Sequence, residues 1–245
     1  MAWVLDLDGV LWLGDDPVPG AADAVARLRA RGERVVFVTN NSYGPVGEVE
    51  AKLARHGVPA AGDVVTSAMA GATLVAPGER VLVCGGPGIA EAVSARGGMP
   101  VADGDAEVVL VGFHREFDYE RLRIAHRAVR RGARLAATND DPTYPTPEGP
   151  IPGGGSIAAA VAYAAGVAPV VAGKPNAPMA DLVRSLAGDR GTVVGDRPDT
   201  DGAFAVTLGY RFALVLSGVT RLEDLPVTPA PDVVAPTLAD LVPPG

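Results

Sequence analysis

Asp6 and Asp8 stand two residues apart at the end of an apolar run, residues 3–7, and Gly9 follows at once. Alternate side chains of a strand share a face, so this spacing puts two carboxylates on one side of a strand end. One such carboxylate can attack phosphorus and form an aspartyl-phosphate. The other can protonate a leaving oxygen and then activate water. Asp and Gly are also ordinary turn residues, so the pair does not decide the matter alone.

Three more polar clusters follow strand-like runs. Thr39-Asn40-Asn41-Ser42 offers hydroxyl and amide donors suited to phosphate oxygens, and the same residues would serve as a helix N-cap before Pro45. Gly173-Lys174-Pro175 sets one lysine after Val170, Val171 and Ala172. It could screen a phosphate against Asp6, or be a surface lysine in a turn. The segment 195–201 reads Gly-Asp-Arg-Pro-Asp-Thr-Asp. Its acids suit a helix N-terminus, and equally the oxygen-ligand site that Mg²⁺ prefers. Asp196 is nearest the strand end and is the expected direct ligand, with Asp201 behind it.

Charge ties the clusters together. A phosphate dianion beside Asp6, Asp8 and Asp196 gathers about five negative charges, and two like charges 4 Å apart cost about 4 kcal/mol at an effective dielectric of about 20. A divalent cation and Lys174 return three positive charges. Backbone N–H groups and the Thr39 and Asn40 donors must meet the rest. Without a metal this set of residues makes no sense as a phosphate site.

The elements that must position these residues alternate. Strand patterns fall at 3–7, 35–39, 64–66, 170–172, 192–194 and 212–216. Helical patterns fall at 21–31, 46–56, 67–75, 177–186 and 200–208, the first two stopped by Gly32 and Gly57. Such alternation predicts a parallel sheet covered by helices on both faces, with ligands outside the carboxyl ends of its strands. The middle of the chain has its own set: strands at 80–84, 108–113 and 134–137, helices at 89–95, 119–131 and 156–165. The expected organisation is a core of residues 1–77 and 169–245 with a second α/β domain, 78–168, inserted in it.

In this order the four clusters resemble those of the haloacid-dehalogenase-like (HAD) hydrolases, most closely subclass IIA, the 4-nitrophenylphosphatase-like branch. Residues 6–14, Asp-Leu-Asp-Gly-Val-Leu-Trp-Leu-Gly, are similar to that branch's first motif. Thr39 to Ser42, Gly173 to Pro175 and Gly195 to Asp201 resemble the second, third and fourth, and Thr66-Ser67-Ala68 resembles a stretch ahead of the cap. The resemblance implies a doubly wound, Rossmann-like α/β core with an inserted α/β cap of type C2. It implies a Mg²⁺-dependent phosphatase acting on a small phosphomonoester through an aspartyl-phosphate. Asp6 would be nucleophile and metal ligand. Asp8 would be general acid and base, and a metal ligand through its backbone carbonyl. Thr39, Asn40 and Lys174 would hold the phosphoryl group, and Asp196 would complete the metal ligands with Asp201 in support. The 133 residues between Asn40 and Lys174 leave room for the cap at 78–168, and Asn139 and Asp140 would contact substrate unless they only make a turn. The resemblance also allows a homodimer through the cap. The alternative reading is a phosphoacceptor or phosphometabolite-binding protein without rapid turnover.

Composition narrows the partners. A net charge of −8 argues against a nucleic-acid partner. No apolar stretch reaches membrane-spanning length, one cysteine forbids an internal disulfide, and no secretory signal is legible, so a cytoplasmic location is expected. Aromatic residues make up 5%, which gives no base-stacking platform and favours polyol, sugar or carboxylate phosphates. His56 and His126 are expected to face solvent, and His114 has no assigned role. Gly85 to Gly88 is read as a tight turn, and Cys84 as a small buried residue.

Overall fold

The computed structural model describes residues 1–144, 146 and 148–244. The chain forms two compact units: Met1–Thr39, Gly47–Val65 and Lys174–Gly245 make the first, Asn40–Val46 and Thr66–Gly173 the second.

A six-stranded sheet organises the first unit. Across the sheet the strands run Val233–Ala235, Arg211–Val215, Gly191–Gly195, Ala2–Leu5, Arg34–Thr39, Val64–Thr66. Ala2–Leu5 is parallel to both neighbours, and Leu5 lies beside Val194 on one side and Phe37 on the other. Later strands add outward on both sides of the first. The order therefore reverses between Ala2–Leu5 and Gly191–Gly195, the place where a doubly wound sheet opens a crevice at its carboxyl edge.

The strand Arg34–Thr39 shows why the sequence chooses this arrangement. Val35, Val36, Phe37 and Val38 are all buried, so both faces of the strand are covered, as a continuous apolar run in a parallel sheet requires. Burying a side chain such as Phe37 contributes about 2–3 kcal/mol. Helix Ala177–Ala187 packs on this strand and on Ala2–Leu5, and helix Ala21–Ala30 packs on it too. Gly32, at φ 72°, takes the left-handed conformation that ends helix Ala21–Ala30.

The second unit holds a five-stranded sheet in the order Val170–Val171, Arg134–Ala137, Val108–Val111, Arg80–Cys84, Met99–Val101, with parallel pairing throughout. Alternation along Val108–Val111 builds its two cores. Val108 and Leu110 pack with Ile89 and Ala68 on one face. Val109 and Val111 pack with Ala125 and Val161 on the other. Helices Ser67–Ala72 and Pro87–Ala95 cover the first face, Tyr119–Arg130 and Gly154–Ala165 the second. The fold is thus a doubly wound α/β core with an inserted α/β unit. Cys84 is buried, and burial pushes its thiol up to about 11, as suits a small packing residue.

One strand departs from expectation. The run 170–172 reads as a core strand carrying Lys174 at its carboxyl end, but Val170–Val171 pairs with Ala136–Ala137 in the second unit's sheet. It is an edge strand of two residues with Val170 exposed, and so short a run cannot declare which sheet it joins. The helix expected over 200–208 starts instead as one wide turn, Pro198–Gly202, before Ala203–Leu208. Two hairpins, Trp12–Leu13 with Asp16–Pro17 and Thr143–Tyr144 with Ile151–Pro152, are too short to leave a periodic signal.

Candidate active site

Asp6 follows the central strand directly. Its N–H donates to Val194 O at 2.9 Å, which keeps it in the ladder. Beyond it the chain turns sharply: the N–H groups of Val10 and Leu11 both donate to Leu7 O, and Gly9 takes φ 81°. Asp8 sits in this turn, where its Oδ1 accepts from Trp12 Nε1 at 3.0 Å.

Asp196 follows the adjacent strand, Gly191–Gly195, and its Oδ2 accepts from the Val219 N–H at 2.6 Å. Two glycines make room for this carboxylate. A Cβ at Gly9 or at Gly218 would overlap it, and Gly9 also needs its positive φ. Asp201 lies in the wide turn. Its Oδ1 accepts from Lys174 Nζ at 2.7 Å and its Oδ2 from the Arg197 N–H at 3.2 Å. Lys174 Nζ also donates to Asp6 Oδ1 at 2.6 Å. Thr39 closes strand Arg34–Thr39 and is buried.

The electrostatics are unusual for a protein interior. Lys174 and Asp201 are almost wholly buried and Asp6 keeps 13% of its side-chain surface. Burial opposes the Lys174 charge, but Asp201 and Asp6 outweigh burial and hold its pKa above the ordinary value. Asp6 is pushed well above the usual carboxylate range by burial, although Lys174 pulls it down. The upward direction wins because burial is the largest influence, and repulsion from Asp201 and Asp196 adds to it. Burial, then the Asp201 charge, raises Asp196 to about 6 against the Val219 N–H and Lys174. Asp8 keeps solvent-exposed surface, yet the protein packed round it raises its carboxyl. The Trp12 hydrogen bond, Lys52 and Lys174 oppose that shift.

This arrangement fits a hard cation. Carboxylate oxygens of Asp6, Asp196 and Asp201 lie within 4.8 Å of one another. Three carboxylates and one ammonium sum to −2 when all are ionised, an excess that adds to the burial already raising Asp6 and Asp196. A divalent cation would cancel it, and all-oxygen donors suit Mg²⁺. Among the described residues the Asp8 carboxylate stands outside this acidic group, consistent with a role for its backbone carbonyl instead.

The second unit gathers the remaining candidates on its own loops. Asn40 Nδ2 donates to Asp141 Oδ2 at 3.1 Å, and Asn40 O accepts from both Asn139 Nδ2, at 2.7 Å, and Ser67 Oγ, at 2.5 Å. Asn139 is buried and also accepts the Asp141 N–H, so its amide braces the Asn40 loop, while Asp140 is exposed beside it.

Comparison with known proteins gives the family. A profile of the haloacid dehalogenase-like hydrolases matches residues 3–98, and one described as HAD-hydrolase-like matches residues 171–241. An acid sugar phosphatase of Staphylococcus saprophyticus is 36% identical over 91% of this chain and 89% of its own length. The chain belongs to the haloacid dehalogenase-like hydrolases. A D-glycerol 3-phosphate phosphatase of Mycobacterium tuberculosis is 40% identical over 90% of the chain, which spans 64% of that longer protein. Among solved structures, a glycerol phosphate phosphatase of M. tuberculosis in complex with magnesium superposes with a TM-score of 0.91 at 37% identity, covering 98% of this chain and 76% of that one. A 4-nitrophenylphosphatase of Thermotoga maritima gives 0.90 at 32%, covering 98% and 95%.

Several residues of this HAD-like hydrolase went unread in the sequence. Gly218 and Val219, which seat Asp196, follow the strand Arg211–Val215. Examining that strand's carboxyl end as closely as the others would have found them. Asp141, next to Asp140, was not given a role of its own, yet its Oδ2 accepts from Asn40 Nδ2. Tyr43, Phe113 and Tyr144 form an aromatic cluster, with Phe113 stacked on Tyr144 at 4.8 Å, which a composition of 5% did not suggest. His56 was expected in solvent. It is half-buried, with its ring 5.7 Å from that of Trp12.

Proposed function

We propose that this chain hydrolyses small phosphorylated polyols or sugars, with Asp6 as the nucleophile. At the coarser level the chain is a HAD-type phosphomonoester hydrolase and Mg²⁺ is its cofactor. The observation that carries the residue roles is the buried ion network: Lys174 between Asp6 and Asp201, with Asp196 close enough to share a cation.

The proposed chemistry runs in two steps. Asp6 attacks phosphorus while the bond to the leaving oxygen breaks and its electron pair goes to that oxygen. Asp8 gives this oxygen a proton. Water then loses a proton to Asp8 and attacks the aspartyl-phosphate, breaking the bond from Asp6 to phosphorus and restoring both carboxyl groups. Lys174 aims Asp6 and screens it from the phosphoryl oxygens. Thr39 and Asn40 donate to those oxygens, and Asp140, held beside the braced Asn139, is proposed to meet the rest of the substrate. The carboxylates of Asp6 and Asp196 and the Asp8 carbonyl would hold Mg²⁺, with Asp201 fixing the lysine behind them. When bound, the ion supplies positive charge against the phosphoryl oxygens.

The substrate class is supported by relatives named for acid sugar and glycerol phosphates. Relatives named as phosphatases leave the phosphoacceptor reading unsupported. No nucleic-acid partner is expected at a net charge of −8. A cytoplasmic location is proposed from the lone cysteine; no helix among the described residues is long and apolar enough to cross a membrane. A homodimer through the inserted unit is proposed from the exposed Tyr119 and Tyr163 on two of its helices. Sedimentation at several concentrations tests it, and a monomer throughout refutes it.

The test of function is phosphate release from glycerol phosphates, sugar phosphates and 4-nitrophenyl phosphate, with Mg²⁺ or with chelator. Release that needs Mg²⁺ and favours the hydroxylated esters supports the proposal. A preference for nucleotides would overturn the substrate class, and no release from any ester would overturn the chemistry.

A further inference from the structure

Trp12 is buried, yet nothing in the proposed reaction uses it. Its indole N–H points at Asp8 Oδ1, 3.0 Å away. The tight turn that carries Asp8 brings the two together: Gly9 N–H donates to Trp12 O at 2.7 Å, and Asp8 and Trp12 form a bridge across the turn.

The ring is gripped from helix Val46–Arg55. Lys52 Nζ lies 4.5 Å from the centre of the indole and donates to Gly14 O at 2.6 Å, so the ammonium is tied down where it covers the ring. His56 packs against the indole from one helical turn further on. A ring held by two neighbouring side chains has one orientation to offer, and a donor fixed in advance costs no reorganisation when charge develops.

Indole Nε1 is a donor only and can never accept. In a protonated carboxyl the carbonyl oxygen is a far better acceptor than the hydroxyl oxygen, so the indole favours Oδ1 as the carbonyl and leaves Oδ2 as the oxygen that carries the proton. We infer that Trp12, held by Lys52 and His56, is a positioning residue that assigns Oδ2 as the proton-bearing oxygen of Asp8. In the first step the Oδ2–H bond breaks, a new O–H bond forms on the leaving oxygen, and the electron pair of the broken P–O bond moves to that oxygen. In the second step Oδ2 takes the proton back from water. The inference rests on the reading of Asp8 as the general acid.

The test compares phenyl phosphate with 4-nitrophenyl phosphate, which differ only in the leaving group. Phenoxide needs protonation far more than nitrophenoxide does, and kcat/KM reports the steps up to its departure. Trp12→Phe keeps a ring and removes the donor. It should lower kcat/KM for phenyl phosphate about tenfold more than for 4-nitrophenyl phosphate. Lys52→Met keeps the stem over the indole and should shift the same ratio in the same direction by less. Asp8→Asn should shift it most, and adding Trp12→Phe to Asp8→Asn should lower the ratio no further.

If Asp8→Asn shifts the ratio while Trp12→Phe slows both esters equally, the inference falls and the Asp8 reading stands. If Asp8→Asn leaves the ratio unchanged, the Asp8 reading falls and takes the inference with it. Thermal melts accompany each variant. Should Trp12→Phe not fold, an unchanged ratio in Lys52→Met counts against the inference.

Discussion

Lys174 Nζ donates to Asp6 Oδ1 at 2.6 Å and to Asp201 Oδ1 at 2.7 Å, so one buried ammonium joins the ends of two segments 195 residues apart in sequence. Asp196 adds a third carboxylate close to the Asp6 and Asp201 that this ammonium pairs. Removing one partner of a buried ionic pair leaves the others uncompensated, at a cost of about 3–5 kcal/mol. Lys174→Met keeps most of the volume and should lose stability of this order in urea unfolding, together with nearly all activity. Unchanged stability would mean the network is not formed in solution.

Mg²⁺ should stabilise the folded chain, because it offsets the charge of the buried, mutually repelling carboxylates of Asp6 and Asp196. At about 100 times its Kd a ligand adds about 2.7 kcal/mol. The melting temperature should rise with Mg²⁺, fall back with chelator, and fail to respond in Asp196→Asn.

Gly218→Ala tests the space around Asp196. A Cβ there overlaps the carboxylate, which must swing away and lose the Val219 N–H. The variant should lose activity by about a hundredfold or more, comparable to the loss of one preorganised group in a catalytic site, and lose the Mg²⁺-dependent rise in melting temperature.

His114 gives the second unit a pH dependence. The Arg121 guanidinium always carries its protons, so His114 Nε2 must accept from Arg121 Nε, 2.9 Å away. Nδ1 lies 3.2 Å from the Glu116 N–H and 3.4 Å from Glu116 Oε2. Burial, then the Arg121 charge, lowers the His114 pKa below 6.5, against Glu116 and Asp118. As pH falls below 6.5 the unfolded chain binds a proton that the folded chain refuses, so stability is fully present above that value and declines beneath it. Between about pH 8 and about pH 5.5, wild type should therefore lose more unfolding free energy than His114→Gln. Equal losses would mean that His114 titrates alike in both states.

Much of this was legible in the residues themselves. The apolar runs that form Ala2–Leu5, Arg34–Thr39 and the later core strands announced a parallel sheet, because strands buried on both faces must be continuously apolar. The polar residues ending them announced the site, because a sheet's carboxyl edge is where a crevice opens. Long-range pairing was not legible. The two-residue strand Val170–Val171 satisfies either sheet locally, and only its register with Ala136–Ala137 places it. Nor could spacing alone show that Trp12 folds back on Asp8, since four residues mean a neighbour on a helix and here mean the two ends of a turn closed by glycine. The resemblance pointed to Asn139 as a substrate contact; its burial against Asn40 O belongs to the fold.

The central claim is that Asp6 takes the phosphoryl group. The most direct measurement is acid quenching during turnover of a phosphate-labelled ester, followed by peptide mapping of the protein-bound label. The account predicts an acid-stable, hydroxylamine-sensitive phosphate on Asp6, dependent on Mg²⁺ and absent from Asp6→Asn. Label on another residue, or wild-type turnover that persists in Asp6→Asn, would contradict it.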